Sequence, residues 1–191
     1  MRLNLGCGYN HEEVYVNVDK FAACKPDQVV DLEQFPWPWE DNSVSEIKLF
    51  HVLEHLGQTP ACFIRIMGEM YRVLEENGVV DITVPHPRSD AYLGDPTHVR
   101  VITPGVLSLF SHKFLNKAIA EKSANSPLGI YHGINFDIVS AQDVLNNEYT
   151  QKYNEALQTD DEYTKQVILT AAKERFNVLT ETKIKLRKVK L

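Results

Sequence analysis

Short apolar runs and stretches of helical periodicity alternate along the chain. Leu3-Asn-Leu5 predicts a strand that runs directly into Gly6-Cys7-Gly8. Val14 to Val18 alternates apolar and polar positions with period two and predicts a second strand ending at Asp19. Gln28-Val29-Val30 predicts a shorter third strand ending at Asp31. The dense prolines of Phe35-Pro36-Trp37-Pro38-Trp39 remove donors and restrict their neighbours, so no regular element fits there. Its two tryptophans read as exposed and available to a partner. Glu40 to Ser43 reads as a turn, and Val44 to Phe50 as a fourth strand.

Thr59-Pro60 is a helix start, with a capping hydroxyl and a proline in the first turn. Ile64, Met67, Met70, Tyr71 and Leu74 then recur at three- and four-residue spacing, giving one apolar face, and Asn77-Gly78 supplies the stop. Val79 to Val84 predicts a fifth strand closed by Pro85 and Pro87. A polar stretch from His86 to His98 follows. Thr103-Pro104 opens a helix to about Leu115, Gly129 to Gly133 reads as loop, and Ile134 to Val139 as a sixth strand. Residues 141–176 are helix-compatible with a break near Asp160-Asp161, and Val178 to Leu191 is strand-like and basic.

Strands alternating with helices, and acids at strand ends, predict an α/β sheet, mostly parallel. Ligands of such sheets bind in the crevice at the carboxyl ends of the strands. Gly6–Gly8, Asp19, Asp31, His51 and Pro85–His86 all fall there, so five separate segments converge on one edge.

Composition narrows the class. A chain of 191 residues fits one domain, and 43% hydrophobic with 24% charged residues excludes a disordered or collagen-like chain. No apolar run reaches the ~18–20 residues of a membrane span, and the start has no apolar leader segment. Three cysteines, none in Cys-x-x-Cys spacing, fit a reducing, cytoplasmic setting. A net charge of −6 argues against a general nucleic-acid coat. Residues 183–191 nevertheless hold five basic residues and no acid, leaving a formal −11 on the rest. That tail reads as the solvent face of an edge strand, or else as a patch for an anionic partner.

Gly6-Cys7-Gly8 allows a tight turn and close approach of a ligand. Asp19, at the end of the next strand, can accept two hydrogen bonds from a ribose diol, or else cap a turn. Asp31 can accept an amino group from adenine with Leu32 against the ring, or else serve as a simple turn residue.

With these residues in place the chain resembles the class I S-adenosylmethionine-dependent methyltransferases. The likeness rests on Leu3-Asn-Leu-Gly-Cys-Gly8, Val16-Asn-Val-Asp19, Asp31-Leu32, Phe35-Pro36 with Asp41-Asn-Ser43, Phe50-His-Val-Leu-Glu-His-Leu56, and Met70-Tyr-Arg-Val-Leu74 through Gly78. It covers residues 1–86. The resemblance implies a Rossmann-like, mostly parallel sheet of about seven strands with helices on both faces and an antiparallel last strand, here the basic C-terminus. It implies S-adenosylmethionine as cofactor, with Gly6, Cys7 and Gly8 near the methionine portion. Asp19 then takes the ribose with Lys20 beside it, Asp31 and Leu32 the adenine, and His51 the sulfonium side. Two departures stand out. Asn4 occupies a place where many members carry an acid, and only ten residues separate Gly8 from Asp19, too few for a crossover helix. The pattern fits a short subgroup with an abbreviated connection and a more open cofactor site.

His51-Val-Leu-Glu54-His55 also matches His-x-x-Glu-His, in which two histidines bind zinc and the glutamate is the base. Here the segment follows a strand directly and Gly57 comes two residues after His55, which leaves no room for a zinc-binding helix. No metal is expected. His55 reads as a structural residue or a substrate contact. Beyond strand five, His86 and His98 are the candidate bases, Asp95 a carboxylate to orient one of them, and Arg88 and Arg100 holders of an acidic substrate group. The alternative for Asp95-Pro-Thr-His98 is a rigid, self-satisfied turn. His132, between glycines, is a lesser candidate.

The expected organisation is one methyltransferase-like domain, 1–191. Residues 1–86 form the cofactor half, 87–133 a roof loop and helix over the substrate, and 134–191 the C-terminal strands and helices. The expected activity is methyl transfer to a small-molecule or sugar-containing (glycan) acceptor, with no nucleic acid and no membrane span, the oligomeric state left open. A non-catalytic adenosylmethionine- or nucleotide-binding module is the alternative, and a zinc hydrolase the distant third.

Overall fold

The structure is a computed structural model that describes residues 1–158 and 161–191. Seven strands form one sheet: β1 (Arg2–Leu5), β2 (Val16–Asp19), β3 (Gln28–Val29), β4 (Val44–Phe50), β5 (Leu74–Pro85), β6 (Phe136–Leu145) and β7 (Leu179–Lys188). Their order is β3-β2-β1-β4-β5-β7-β6, with β7 antiparallel to both neighbours and the pairs from β3 to β5 parallel. The chain leaves β1 toward one edge and continues from β4 toward the other. The switch point therefore lies between β1 and β4, where an open α/β sheet carries its ligand crevice.

Alternation sets the faces. Leu3, Leu5, Ile47, Leu49, Val80, Ile82, Ile184 and Leu186 are buried on one side of the strands. Helix α1 (Pro60–Val73) covers this core with Phe63, Ile66, Met67, Met70 and Val73, capped by Thr59, whose hydroxyl accepts from Cys62 N. Its buried face is close to the expected one, with Ile64 and Tyr71 only partly buried. The other face of the central strands is charged, and Lys185 pairs with Asp81 at 3.1 Å.

Several elements differ from expectation for identifiable reasons. The basic C-terminal strand is antiparallel, yet it is no edge: β7 lies between β5 and β6. Lys183, Lys185 and Arg187 alternate toward solvent, whereas Lys188 is buried and donates to Leu74 O and Asn42 Oδ1. Asn77-Gly78 does not separate helix from strand. Leu74 already pairs with Val44, and the register slips across the Asn77 turn (φ 66°) to Glu46–Val79. A short α2 (Asp90–Leu93) forms in the roof segment before Thr103, and the helix opened by Thr103 breaks into α3 (Pro104–Ser108) and α4 (His112–Ala120). Ser111 caps α4, and Phe110 is fully buried at the break. The glycine-flanked loop is a helical turn, α5 (Leu128–His132), ended by left-handed Gly133. Gly129 fits there because a Cβ would stand 2.6 Å from Ile134 O. β6 runs six residues further than Val139 because β7 pairs with it to Leu145. The segment beyond it forms α6 (Asn147–Lys152), α7 (Asn154–Gln158) and α8 (Glu162–Glu174). Of the expected break, Asp161 caps α8, while Asp160 lies outside the described residues.

Trp37 and Trp39 are not exposed. They are 3% and 5% accessible and meet edge-to-face at 5.7 Å. Arg72 and Glu69 of α1 hold the proline-rich segment: Glu69 accepts from Trp37 N, and Arg72 donates to the carbonyls of Trp37 and Trp39.

Candidate functional site

The β1–β2 connection contains no helix, and a buried asparagine pair stands in its place. Asn4 Nδ2 donates to Asn10 O (2.9 Å) and Asn17 Oδ1 (3.0 Å), while Asn17 Oδ1 also accepts from Glu12 N. Asn4 thus holds the short loop by its amide, which explains a neutral residue there. Asp27 accepts from Asn17 N and Nδ2, and these bonds hold its carboxyl below the usual range.

The short loop delivers the glycine turn to Asp19. Gly8 N donates to Asp19 Oδ2 and Phe21 N to Oδ1, both at 2.8 Å. Each oxygen keeps a second lone pair for a ligand. Gly6 (φ +66°) lies where a Cβ would come within 2.5 Å of Val52, so a larger residue would meet the segment after β4. Gly8 (φ +50°) faces open space.

A cleft of about 210 Å³ lies at this edge, lined by Gly6, Asp19, Lys20, Val30, Asp31, Leu32, His51, Val52, His55 and Leu56. The structure brings together six of the eight cofactor-side residues named from sequence, and His55 with them. Cys7 and Gly8 lie outside the lining. Cys7 is buried, its NH bonded to Val18 O. Val30, Val52 and Leu56, the apolar walls, were not singled out. They sit beside named residues in Val30-Asp31-Leu32 and His51-Val52…Leu56, so alternation past the polar positions was the available signal.

Burial pushes the Cys7 thiol up to about 11, with Cys24 and Asp19 adding to the effect. At pH 8 about one molecule in a thousand then carries the reactive thiolate. Iodoacetamide is therefore expected to leave Cys7 unmodified in the native chain and to label it after unfolding, as peptide mass spectrometry would record. Rapid native labelling at pH 8 would contradict the burial.

His51 directly follows β4 in a left-handed conformation (φ 55°). Its Nε2 lies 2.8 Å from Glu181 Oε1 of β7, and its Nδ1 3.5 Å from Glu54 Oε1. Glu54 and then Glu181 raise its pKa against the opposing effect of burial. Glu181 comes from the far end of the chain and has no local signature.

The roof segment divides. Val99 N and Arg100 N both donate to Glu54 O, which hangs this part of the roof on the turn Leu53–His55. His98 consequently meets His55, ring centroids 4.6 Å apart, and stacks on Tyr92. Asp95 accepts from Thr97 N and Oγ1. His86 stands elsewhere, in a small cavity with Pro87, Thr103, Pro104 and Asp143 that shares no residue with the cleft. Its Nδ1 accepts from Arg88 N, and burial lowers its pKa. Arg88 donates to Lys173 O and lies over Phe176. Arg100 donates to Gly57 O at 2.7 Å and lies over Phe63 at 4.3 Å. Both guanidinium groups thus tie segments together. His132 is exposed on α5.

No protein-family model matches the chain, and no curated protein sequence matches it. Solved structures do. An S-adenosylmethionine-dependent methyltransferase from Archaeoglobus fulgidus superposes with a TM-score of 0.60 at 18% identity, over 98% of this chain and 85% of that one. The cyclase SpnF gives 0.53 at 17% identity, over 100% and 75%. The Burkholderia thailandensis 1,6-didemethyltoxoflavin-N1-methyltransferase, solved with bound 1,6-didemethyltoxoflavin and S-adenosylhomocysteine, gives 0.52 at 13% identity, over 98% and 70%. The chain therefore has the class I methyltransferase fold: a Rossmann-like, mostly parallel seven-stranded sheet with β7 antiparallel. Among the described residues no helix is long and apolar enough to cross a membrane.

Proposed function

We propose that the chain is an S-adenosylmethionine-dependent methyltransferase acting on a small-molecule acceptor, a glycan among the candidates. One observation carries the reading: the cleft at the switch point joins the glycine turn, the Asp19 carboxylate and the Asp31-Leu32 corner on one side to His51 on the other. The residues fit the cofactor. Gly6 and Gly8 leave backbone without side chains at the turn, and Gly8 opens onto free space. Asp19, fixed by two backbone NH groups, presents its remaining lone pairs to a ribose diol, with Lys20 beside it. Val30, Leu32, Val52 and Leu56 supply apolar lining for an adenine ring, and Asp31 lines the same cleft. When bound, the cofactor supplies a methyl group on a positively charged sulfur. His51 and His55 line the same cleft, and His98 stands next to His55. Residues 1–86 would thus hold the cofactor, and the roof segment within 87–133 would close over the acceptor. Exclusion of water and alignment of the nucleophile are the roof's contribution.

A second reading has its own support. SpnF is named for cyclisation rather than methyl transfer, so the fold alone does not select a reaction. A binding module would use the same cleft. Calorimetry with S-adenosylhomocysteine tests the shared part. Asp19→Ala should weaken binding by about 1.5–3 kcal/mol through loss of charge-assisted hydrogen bonds. An unchanged affinity in the folded variant removes Asp19 from the ribose role. Formation of S-adenosylhomocysteine from S-adenosylmethionine with a cellular extract would favour the enzyme, and binding with no turnover across a broad acceptor panel would favour the module.

A further inference from the structure

Glu54 is the least expected group in the molecule. Its side chain is 1% accessible, and neither carboxylate oxygen has a hydrogen-bond partner among the described residues. Its one ion-pair neighbour among the described residues is His51, whose Nδ1 stands at the longer distance of 3.5 Å. Burying a carboxylate without donors costs several kcal/mol, roughly, unless something positive meets it.

Two imidazoles converge on the same point. One ligand atom from each of Glu54, His55 and His98 lies within 4.8 Å of the others. The hydrogen bond made by each ring's Nδ1 fixes its tautomer. Thr97 Oγ1 donates to Asp95 Oδ1 at 2.6 Å, so it has only a lone pair left for His55 Nδ1 at 2.9 Å. His55 Nδ1 therefore carries the proton. His98 Nδ1 lies 2.7 Å from Tyr92 O, a carbonyl that can only accept, so it carries the proton there as well. Both rings are left with a lone pair on Nε2. A ring NH tied to a carbonyl, or through a hydroxyl to a carboxylate, is the support that metal-ligating histidines have.

We propose that Glu54, His55 and His98 form a binding site for a divalent transition-metal ion. Two imidazoles and one carboxylate suit ions of intermediate softness, such as zinc, manganese, iron or cobalt, and leave coordination positions open. His55 also lines the cleft, so those positions lie beside it. The ligand class they would take is an oxygen donor, above all a hydroxyl, whose acidity a bound cation raises. This consequence, that the acceptor is a hydroxyl compound, rests on the methyltransferase reading; the ion site does not. The zinc-protease spacing seen in the sequence holds Glu54 and His55 but places His51 as the partner. The third ligand here is His98, brought from 43 residues further on by the bonds of Val99 and Arg100 to Glu54 O.

The test uses the full chain, stripped with a chelator and titrated with Zn²⁺ alone by calorimetry and with Co²⁺ alone by visible absorption. One ion per chain is expected. Glu54→Gln and His98→Ala should each weaken binding by at least ~10-fold, and Asp95→Ala by a smaller factor through the Thr97–His55 relay. His132→Ala should leave it unchanged. Glu54→Gln preserves shape, and a circular dichroism melt of each variant separates lost binding from lost fold. Absence of a bound ion, or an affinity unaltered in folded Glu54→Gln and His98→Ala, overturns the site. So does an affinity lost in Cys24→Ser, which would place the ion among Cys7, Asp19 and Cys24 instead. S-adenosylhomocysteine calorimetry on the same samples keeps the two readings apart. A chain that binds the ion and not the nucleoside refutes only the methyltransferase, and the converse refutes only the metal site.

Discussion

Alanine at Gly57 is expected to destabilise the chain by about 2–5 kcal/mol. Gly57 has φ +69°, a conformation that costs an ordinary L-residue roughly 1–2 kcal/mol. A Cβ would also stand 2.6 Å from Phe63 Cα and 2.8 Å from Phe63 N. Those are backbone atoms in the first turns of α1, so no side chain can rotate away, and forcing atoms into a packed region costs about 1–3 kcal/mol more. The damage should reach the site. Gly57 N donates to Glu33 Oε1, and Gly57 O accepts from Arg100, so the residue links the β3–β4 connection, the Leu53–His55 turn and the roof. Thermal unfolding should occur about 4–20 °C lower, given roughly 2–4 °C per kcal/mol at this chain length. A melt within 2 °C of the parent would mean that the turn has room the structure does not show.

The sequence was readable where one segment carries its own physics. β4 occupies the expected seven residues because its alternation is clean and a turn precedes it. α1 begins where Thr59-Pro60 says it should. The glycine turn and Asp19 were legible as a pair because one short loop joins them. Legibility failed where a partner comes from far along the chain. The basic tail looked like an edge because nothing local reveals that β6 pairs on its outer side. The carbonyl partners of Arg88 and Arg100, Lys173 O and Gly57 O, likewise leave no mark in side-chain spacing. Glu54 shows the same limit: its neighbours His98 and, through His51, Glu181 enter from a roof loop and from β7. His86 and His98 read alike in sequence. They separate only because the roof is bonded to Glu54 at Val99, whereas His86 N donates to Thr180 O on β7.

Removing the Trp37 ring should cost about 3–5 kcal/mol, the range for deleting a large buried aromatic. From sequence this ring looked like a surface feature of a proline-rich loop, so the two views give opposite forecasts for one substitution. An exposed aromatic replaced by alanine would change stability by about 0.5 kcal/mol at most. In the structure Trp37 is 3% accessible, and its Nε1 donates to Leu32 O at 3.1 Å. That bond matters for the cleft, because Leu32 is one of its walls. The buried Trp37 ring is therefore tied directly to one of the residues that line the cleft. Trp37→Phe separates the two contributions. It keeps an aromatic body and leaves the Leu32 carbonyl without its donor, for about 1–3 kcal/mol. Urea unfolding followed by circular dichroism reads both variants without depending on tryptophan emission. S-adenosylhomocysteine calorimetry below the unfolding transition then reports whether the wall has loosened. The structure requires the order parent, Trp37→Phe, Trp37→Ala in decreasing stability. Equal stability of parent and Trp37→Ala would return the ring to the surface and leave the β3–β4 connection without its core.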